Sequence, residues 1–446
     1  MKIHLLLTLV LLLLVPVASG AAALQFAPTR SLTAGWPGDL PDRSRVAYNS
    51  RHKEYLVVYQ YHNSILSGPD QIHAARLSVD GSYIANYVVS DLPNNCRQPD
   101  VEYDPLNDRY LVVWTYDRNG DNNSWDIHGR FVPVSGPVDT LPSMKIGGFA
   151  TWDESWPRLA YGAVDHDFFV VFNLDFNTAR QPAIAGFRVP ADGSPSWHHT
   201  TIHEDTYQSS RMHPDIAYNP QRDEFVVVYD DGANIYVHIF AGHATYSQFY
   251  NVTDIGLPIT KLTPPNTTLP GIHDHPAIAF APGASYYFIT WDTNRETGSG
   301  DIWACYYPGG ATMPAAYYRQ RLSGSGDHET GASVACRNDT SSCLAVWIVD
   351  HNDVFYTMAR EVVLESDNNG ELTRYETVFS QPLDNLAPVT SWWVGNPFTA
   401  IAGGSKNYYI SFPAIGQNTV LLQGRNSILS DFPWPMFLPA IISGHK

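Results

Sequence analysis

The sequence predicts an all-β protein, a seven-bladed β-propeller of four-stranded antiparallel blades, and three observations carry the prediction. A strand, turn, strand pattern recurs seven times along the chain. The second strand of each copy is apolar on both faces, as in Tyr55 to Tyr59 and Tyr110 to Trp114, which marks a central strand in a covered sheet. The 446 residues are 13% aromatic and only 16% charged, a balance that excludes a disordered or coiled-coil chain.

The first element is an address. Met1 to His4 form a short basic start, Leu5 to Val17 are almost wholly apolar, and Ala18 to Ala23 are small. This is the layout of a signal peptide, so residues 1–23 are set apart from the fold and the protein is expected to be secreted or held at the cell surface. No cysteine follows the small residues, so a lipid anchor is not indicated. No membrane span is expected either, because Phe432 to Ile442 is too short and is broken by Pro433, Pro435 and Pro439. With 27 Lys and Arg against 44 Asp and Glu, a net charge of −17, the chain has no electrostatic footprint for nucleic acid. A monomer is expected. Asn122, Asn251, Asn266 and Asn338 stand in glycosylation sequons.

The repeats follow over residues 24–430. Aligning the end of the second strand gives Tyr59, Trp114, Phe172, Tyr229, Trp291, Trp347 and Phe412, separated by 55, 58, 57, 62, 56 and 65 residues. Eleven residues before each stand Tyr48, Tyr103, Tyr161, Tyr218, Phe280, Cys336 and Ile401, each preceded by Ala except Tyr103. The hairpins therefore lie near 43–59, 98–114, 156–172, 213–229, 275–291, 331–347 and 396–412. Fixed spacing inside the hairpin and variable spacing between copies mean one structural unit joined by loops of changing length. A third strand opens at Gln71, Asp126, Ala183, Asn234, Asp301, Asp353 or Thr419, and a weaker fourth follows, as in Tyr83 to Val89, Thr245 to Val252 and Glu371 to Phe379. Small sheets that must be covered on both faces pack radially. A unit of this size has too little interior to stand alone, which disfavours a row of separate β domains. The last repeat lacks a fourth strand on its C-terminal side, and Leu24 to Leu32 are expected to supply it. Residues 431–446 form a proline-rich apolar tail.

The chain thus resembles secreted β-propeller repeat proteins over nearly its whole mature length, and the resemblance is architectural. Of the Trp-Asp signature of WD40 repeats only Trp291-Asp292 falls in register. The Gly pairs at Gly147, Gly309 and Gly403 are out of phase with a kelch pattern, and no sialidase-type Asp box occurs. The tail at Phe437 to Ile441 is similar to the Leu-Pro tails of some secreted bacterial proteins.

The aromatic pair flanking the first turn is replaced in repeat 6 by Cys336 and Cys343. Directly opposed hairpin residues suit a disulfide, so this pair is expected to be bridged, with Cys96 and Cys305 free.

Chemistry is sought in the loops at one end of the channel, where binding groups concentrate on a rigid scaffold. Gly-x-Ser-x-Gly and His-Glu-x-x-His are absent, so a serine hydrolase or zinc protease is not indicated. Three candidates remain. His213 and His275 share one repeat position, and Arg45, Asp100, Arg158 and Asp215 share the position two residues on, so these six groups should converge on the channel mouth; His273, His328 and Asp274 could extend them towards a metal. Asp117, Asn119, Asp121 and Asn123 place oxygens at alternate positions, which suits calcium, although Gly120 comes early and no Glu closes the series; the competing reading is an ordinary hairpin loop. Trp125, Trp152 and Trp156, with Tyr116, Asp153 and Glu154, are expected to be neighbours on loops and to form a sugar-stacking platform, or else to cap the gap between blades. Trp392 and Trp393 also fall in loops.

These readings point to a secreted, non-catalytic module that binds an extracellular glycan or protein. The first alternative is a propeller-fold carbohydrate-active enzyme of glycoside hydrolase type, with carboxylates at the channel mouth; the second is a structural component of the cell surface.

Overall fold

The computed structural model describes residues 24–26, 30–31, 42–62, 68–147, 152–175, 183–193, 199–204, 213–230, 235–242, 260–261, 272–294, 300–308, 318–323, 326–337, 341–352, 354–366, 372–385, 400–403, 408–416 and 419–429. All regular structure among them is β, in seven antiparallel sheets. Sheet 1 comprises Asp42–Asn49, Glu54–Tyr61, Gln71–Ser78 and Tyr83–Val88. Sheet 2 comprises Cys96–Asp104, Arg109–Asp117, Trp125–Pro133 and Met144–Lys145, and sheet 3 Asp153–Gly162, Asp167–Asp175, Ala183–Pro190 and His199–Glu204. Sheet 4 has Asp215–Asn219, Glu224–Asp230, Ile235–Ala241 and Thr260–Lys261; sheet 5 has Ile272–Ala281, Tyr286–Asn294, Asp301–Pro308 and Tyr318–Arg321. Sheet 6 has His328–Cys336, Ser342–His351, Val354–Ser366 and Leu372–Asn385. Sheet 7 pairs Ala400–Gly403, Tyr408–Gly416 and Thr419–Leu429, and its last strand is paired in turn by Leu24–Phe26 and Arg30–Ser31.

The N-terminal segment therefore supplies the outer strand of the last sheet, as expected. The fourth strand of sheet 4 is Thr260–Lys261; the span expected for it, Thr245 to Val252, lies outside the described residues, as do residues 1–23, 431–446, Trp392 and Trp393. No helix among the described residues is long and apolar enough to cross a membrane.

Sequence dictates this packing simply. Second strands carry the most buried runs, Glu54–Tyr61 and Glu224–Asp230 along their whole length, because each lies between two paired strands and under both neighbouring sheets. Trp114, Trp291 and Trp347 fill the gaps between sheets at 0, 2 and 1% exposure. First strands lie side by side from sheet to sheet, and Ala400–Gly403 packs beside both His328–Cys336 and Asp42–Asn49, so the series returns to its start.

The first turn explains the fixed hairpin spacing. Tyr48 faces Tyr55, Tyr103 faces Tyr110, Tyr161 faces Phe168, Tyr218 faces Phe225 and Phe280 faces Tyr287, with ring centroids 4.8 to 5.3 Å apart. In sheet 6 the opposed pair is the Cys336–Cys343 disulfide, while Cys96 and Cys305 are free and buried. Asn49, Asp104 and Asn219 close their turns by accepting backbone N–H groups two residues on.

Candidate functional site at the channel mouth

At the other end of the first strands a second repeated feature appears. In sheets 1, 2, 3, 5 and 6 the pairing of first and second strand slips between six and three residues before the turn residue, at 42/45, 97/100, 155/158, 274/277 and 330/333. Four of these bulges hold a left-handed residue: Gln98 (φ 55°), Trp156 (56°), His275 (48°) and Gly331 (68°). A proline follows in most copies, at Pro99, Pro157, Pro214, Pro276 and Pro397. Proline has no N–H to give to a ladder and suits the break in pairing.

The strained backbone is held from the preceding sheet. The Trp156 N–H donates to Gln98 Oε1 at 3.0 Å, and the Gly331 N–H to Asp292 Oδ2 at 2.8 Å. A left-handed non-glycine residue costs on the order of 1 to 3 kcal/mol, and such residues gather where a side chain must be aimed.

Here the aim is into a cavity of about 150 Å³. Its wall is made by first strands of successive sheets and includes all six expected channel residues, Arg45, Asp100, Arg158, His213, Asp215 and His275, together with Trp156 and Glu102. The charged residues follow an alternating order. Arg45 of sheet 1 reaches Asp100 of sheet 2 at 3.9 Å, and Arg158 of sheet 3 reaches Asp215 of sheet 4 at 4.0 Å. Each aspartate also accepts an N–H from the next sheet, Asp100 from Leu159 at 3.1 Å and Asp215 from Ile278 at 2.8 Å. The equivalent positions in sheets 5 and 6 are Ala277 and Ser333.

The two histidines stack at 4.1 Å, and the Trp156 ring meets His213 edge-on at 4.9 Å. Their protonation diverges. Burial lowers the pKa of His213, and the neighbouring His275 adds to this against the opposing pull of Asp230, 3.0 Å away. Burial would lower His275 as well, but Asp274 at 3.3 Å and Asp292 at 3.5 Å outweigh it and raise the imidazole to about 10. Burial raises the carboxyl groups: Asp215 to about 6 despite Arg158, Asp100 upward despite Arg158 and Arg45, and Glu102 to about 7, where Asp100 adds repulsion.

Asp274, His275 and Asp292 offer ligand atoms all within 4.8 Å of one another, close enough together to share a metal ion. Asp292 Oδ2 already accepts from Thr330 Oγ1 and the Gly331 N–H. His328, expected near this group, instead accepts the Gly300 N–H at 3.1 Å.

The structure places most residues of the expected aromatic platform on strands instead of loops. Trp125 opens the third strand of sheet 2 instead of lying on a loop, with Arg97 over its ring at 5.3 Å, and Trp152 packs half-buried against the apolar cluster of sheets 2 and 3. Trp156 belongs to the cavity wall. The half-buried Asp153 accepts the Trp125 N–H at 3.0 Å, and the fully buried Glu154 accepts the Ile127 N–H at 3.0 Å in room left by Gly147. They fasten the seam between sheets 2 and 3. Tyr116 lies edge-on to His128 at 4.8 Å.

The loop read as a calcium candidate is stitched by its own backbone. Asp117, wholly buried, accepts the Gly120 and Asn122 N–H groups, and Asp121 accepts from Asn123 and Ser124. Asn119 and Asn123 are exposed on the same loop.

Sequence reading passed over Glu102, Gln98 and Asp292. For Glu102 the signal was present: six repeats carry Ala before the turn residue, at Ala47, Ala160, Ala217, Ala279, Ala335 and Ala400, and Glu102 is the exception. Gln98 and Asp292 had none, because their roles are contacts across sheets.

No protein-family model and no curated protein matches the sequence. Among solved structures, the chain is similar to the intramolecular trans-sialidase from Ruminococcus gnavus, at 10% identity and a TM-score of 0.45, over 89% of this chain and 96% of that one. It is similar to the α-L-arabinofuranosidase Arb93A from Fusarium graminearum, at 13% identity and a TM-score of 0.47, over 81% and 98%. An ancestral GH74 enzyme matches at 12% identity and a TM-score of 0.48, over 90% of this chain and 47% of that one. At these identities no residue role carries over from them.

Proposed function

We propose that the chain is an exported seven-bladed β-propeller that hydrolyses a saccharide at the mouth of its channel, with Glu102 as the proton donor. The observation that carries this reading is Glu102 itself, a carboxyl group at a position that six other repeats fill with Ala, facing a cavity and titrating at about 7. A group with that proton affinity is protonated often enough at neutral pH to donate and is a strong enough acid to do so. Glycoside hydrolysis also needs an ionised carboxylate. Asp215 meets that need at neutral pH, and Asp100 stands two residues from Glu102 on the same strand, roughly 7 Å along it. Trp156 and the two histidines supply ring surface and hydrogen-bonding groups for a sugar. The Cys336–Cys343 bridge fits an oxidising compartment outside the cytosol.

The test is a panel of oligosaccharides assayed for both binding and release of reducing ends. Turnover that falls roughly a hundredfold or more in Glu102→Gln, with binding retained, supports the assignment. Binding without turnover would make the protein the non-catalytic module, and turnover unaffected by Glu102→Gln would remove Glu102 from the chemistry.

A further inference from the structure

Repeat 5 carries a set of side chains that no other repeat carries. Its first strand brings Asp274 and His275 to the bulge, and its second strand brings Asp292. The matching positions read Asp42, Arg43 and Gln60 in repeat 1 and Met212, His213 and Asp230 in repeat 4, and none of the other six repeats combines two carboxylates with an imidazole there. Asp274 and Asp292 are directly opposed in the antiparallel ladder and nearly buried, at 7 and 3% exposure. Like charges so placed repel unless a cation joins them. His275 stands at the left-handed bulge with its Nδ1 3.3 Å from Asp274 Oδ1 and 3.5 Å from Asp292 Oδ2. Both distances exceed the about 2.7 to 2.9 Å of a charge-assisted N–H···O bond, and one Nδ1 proton cannot point at two carboxylates at once. They match the spacing of ligand atoms around one tetrahedral ion, about 3.3 to 3.6 Å for bonds of about 2.0 to 2.2 Å. Asp292 is also held in place from the next sheet, its Oδ2 accepting from Thr330 Oγ1 at 2.7 Å and from the Gly331 N–H at 2.8 Å, as the outer partners of a ligating carboxylate do.

We propose that Asp274, His275 and Asp292 bind a divalent transition-metal ion of the zinc class in the wall of the channel mouth. One imidazole nitrogen with two carboxylate oxygens suits zinc, whereas calcium takes oxygen ligands alone. The ion takes the place of the Nδ1 proton, which leaves to solvent. Three protein ligands are the number found in zinc sites that keep a fourth place for water or a ligand oxygen, and His275 lines the cavity. The stacked His213 ring, 4.1 Å away, steadies the imidazole. The site is independent of the saccharide reading and of Glu102.

The experiment is titration calorimetry of the full chain, stripped with a chelator and dialysed, against Zn2+ and against Ca2+. One tight Zn2+ site should appear, with a Kd of about 1 μM or below, and Ca2+ should bind at least about a hundredfold more weakly. Asp274→Asn and His275→Gln should each weaken Zn2+ by no less than the loss of an outer partner does, roughly ten- to a hundredfold. Anomalous scattering from crystals of the unaltered chain grown with Zn2+ should place the ion among the three side chains, and it keeps the test open if a variant folds poorly. Zn2+ affinity unchanged in both variants, or an ion located elsewhere, means an adventitious ion only and overturns the site. Ca2+ binding as tight as Zn2+ overturns the zinc assignment, and a chain that takes up no Zn2+ overturns the proposal outright. Turnover of oligosaccharides by Glu102→Gln is read separately, so either proposal can fail without the other.

Discussion

Left-handed residues stand at both ends of the first hairpins, and the two ends use them differently. At the turn end they are Lys53, Asp108, His166, Asp223 and Ser285, with φ between 50° and 57°. Three are tied down within their own repeat: the Tyr103 hydroxyl bonds to Asp108, Tyr161 to His166 and Tyr218 to Asp223. At the mouth end, the Gln98 and Trp156 N–H groups are held by side chains of the preceding sheet, and Trp156 and His275 line the cavity. Strain of the same size serves a fold-defining turn at one end and a display of varied side chains at the other. Repetition marks what builds the scaffold, and its failure marks what the scaffold carries.

The sharpest way to break that contrast is to remove one tryptophan from each region. Trp114→Ala, in the scaffold, should cost about 3 to 5 kcal/mol in urea unfolding through the cavity it leaves. Trp156→Ala should cost far less while removing ligand binding; equal losses would mean that the mouth is core. Next in size is the turn of sheet 6. Replacing both Cys336 and Cys343 by Ala should lower stability by about 2 to 3 kcal/mol through the freed loop, and placing Tyr and Phe at these positions should recover much of it if the bridge stands in for the aromatic pair.

Acid should act on the two regions with opposite sign. Burial holds His73 and His128 of the scaffold down to about 4, so the unfolded chain binds protons near 6.5 that the folded one refuses. Their contribution is complete above 6.5 and is lost as the pH falls towards 4, at up to about 1.4 kcal/mol per pH unit for each. Asp215 and Glu102 at the mouth have raised values, so their contribution is present at low pH and is lost as the pH rises through about 6 to 7. Tm against pH should therefore have a shallower acid slope in His73→Phe and a shallower slope near neutrality in Glu102→Gln. The smallest effect expected is a gain: Trp156→Gly relieves the left-handed strain and should leave stability unchanged or raise it by up to about 1 kcal/mol, with binding lost.

The scaffold was legible because its rules are local. Period, turn residues and the exchange of an aromatic pair for two cysteines can all be read within one repeat, and the strands and the disulfide lie where that reading puts them. The six channel residues share fixed positions and were legible for the same reason. Trp125 and Glu154 were misread because their partners, Arg97, Asp153 and Ile127, lie on another strand or the next sheet, where spacing carries no information. Glu102 was visible as a broken rule, but its meaning depends on a cavity formed by strands of other sheets.

The pairing of Leu24–Phe26 with Thr419–Leu429 has a consequence for how the molecule comes into being. Leu24 faces Leu429, so almost the first residue of the sheets is secured by almost the last. During synthesis the strand that receives Leu24 emerges only after six sheets have had time to form, and the segment must wait without its partner throughout. Joining ends so distant in sequence carries a large loop-closure cost and places this step late and slow. Until it occurs the edge of Thr419–Leu429 is open to any other strand, including Leu24–Phe26 of a second chain made beside it. Crowded production should therefore yield exchanged dimers, and dilute production monomers.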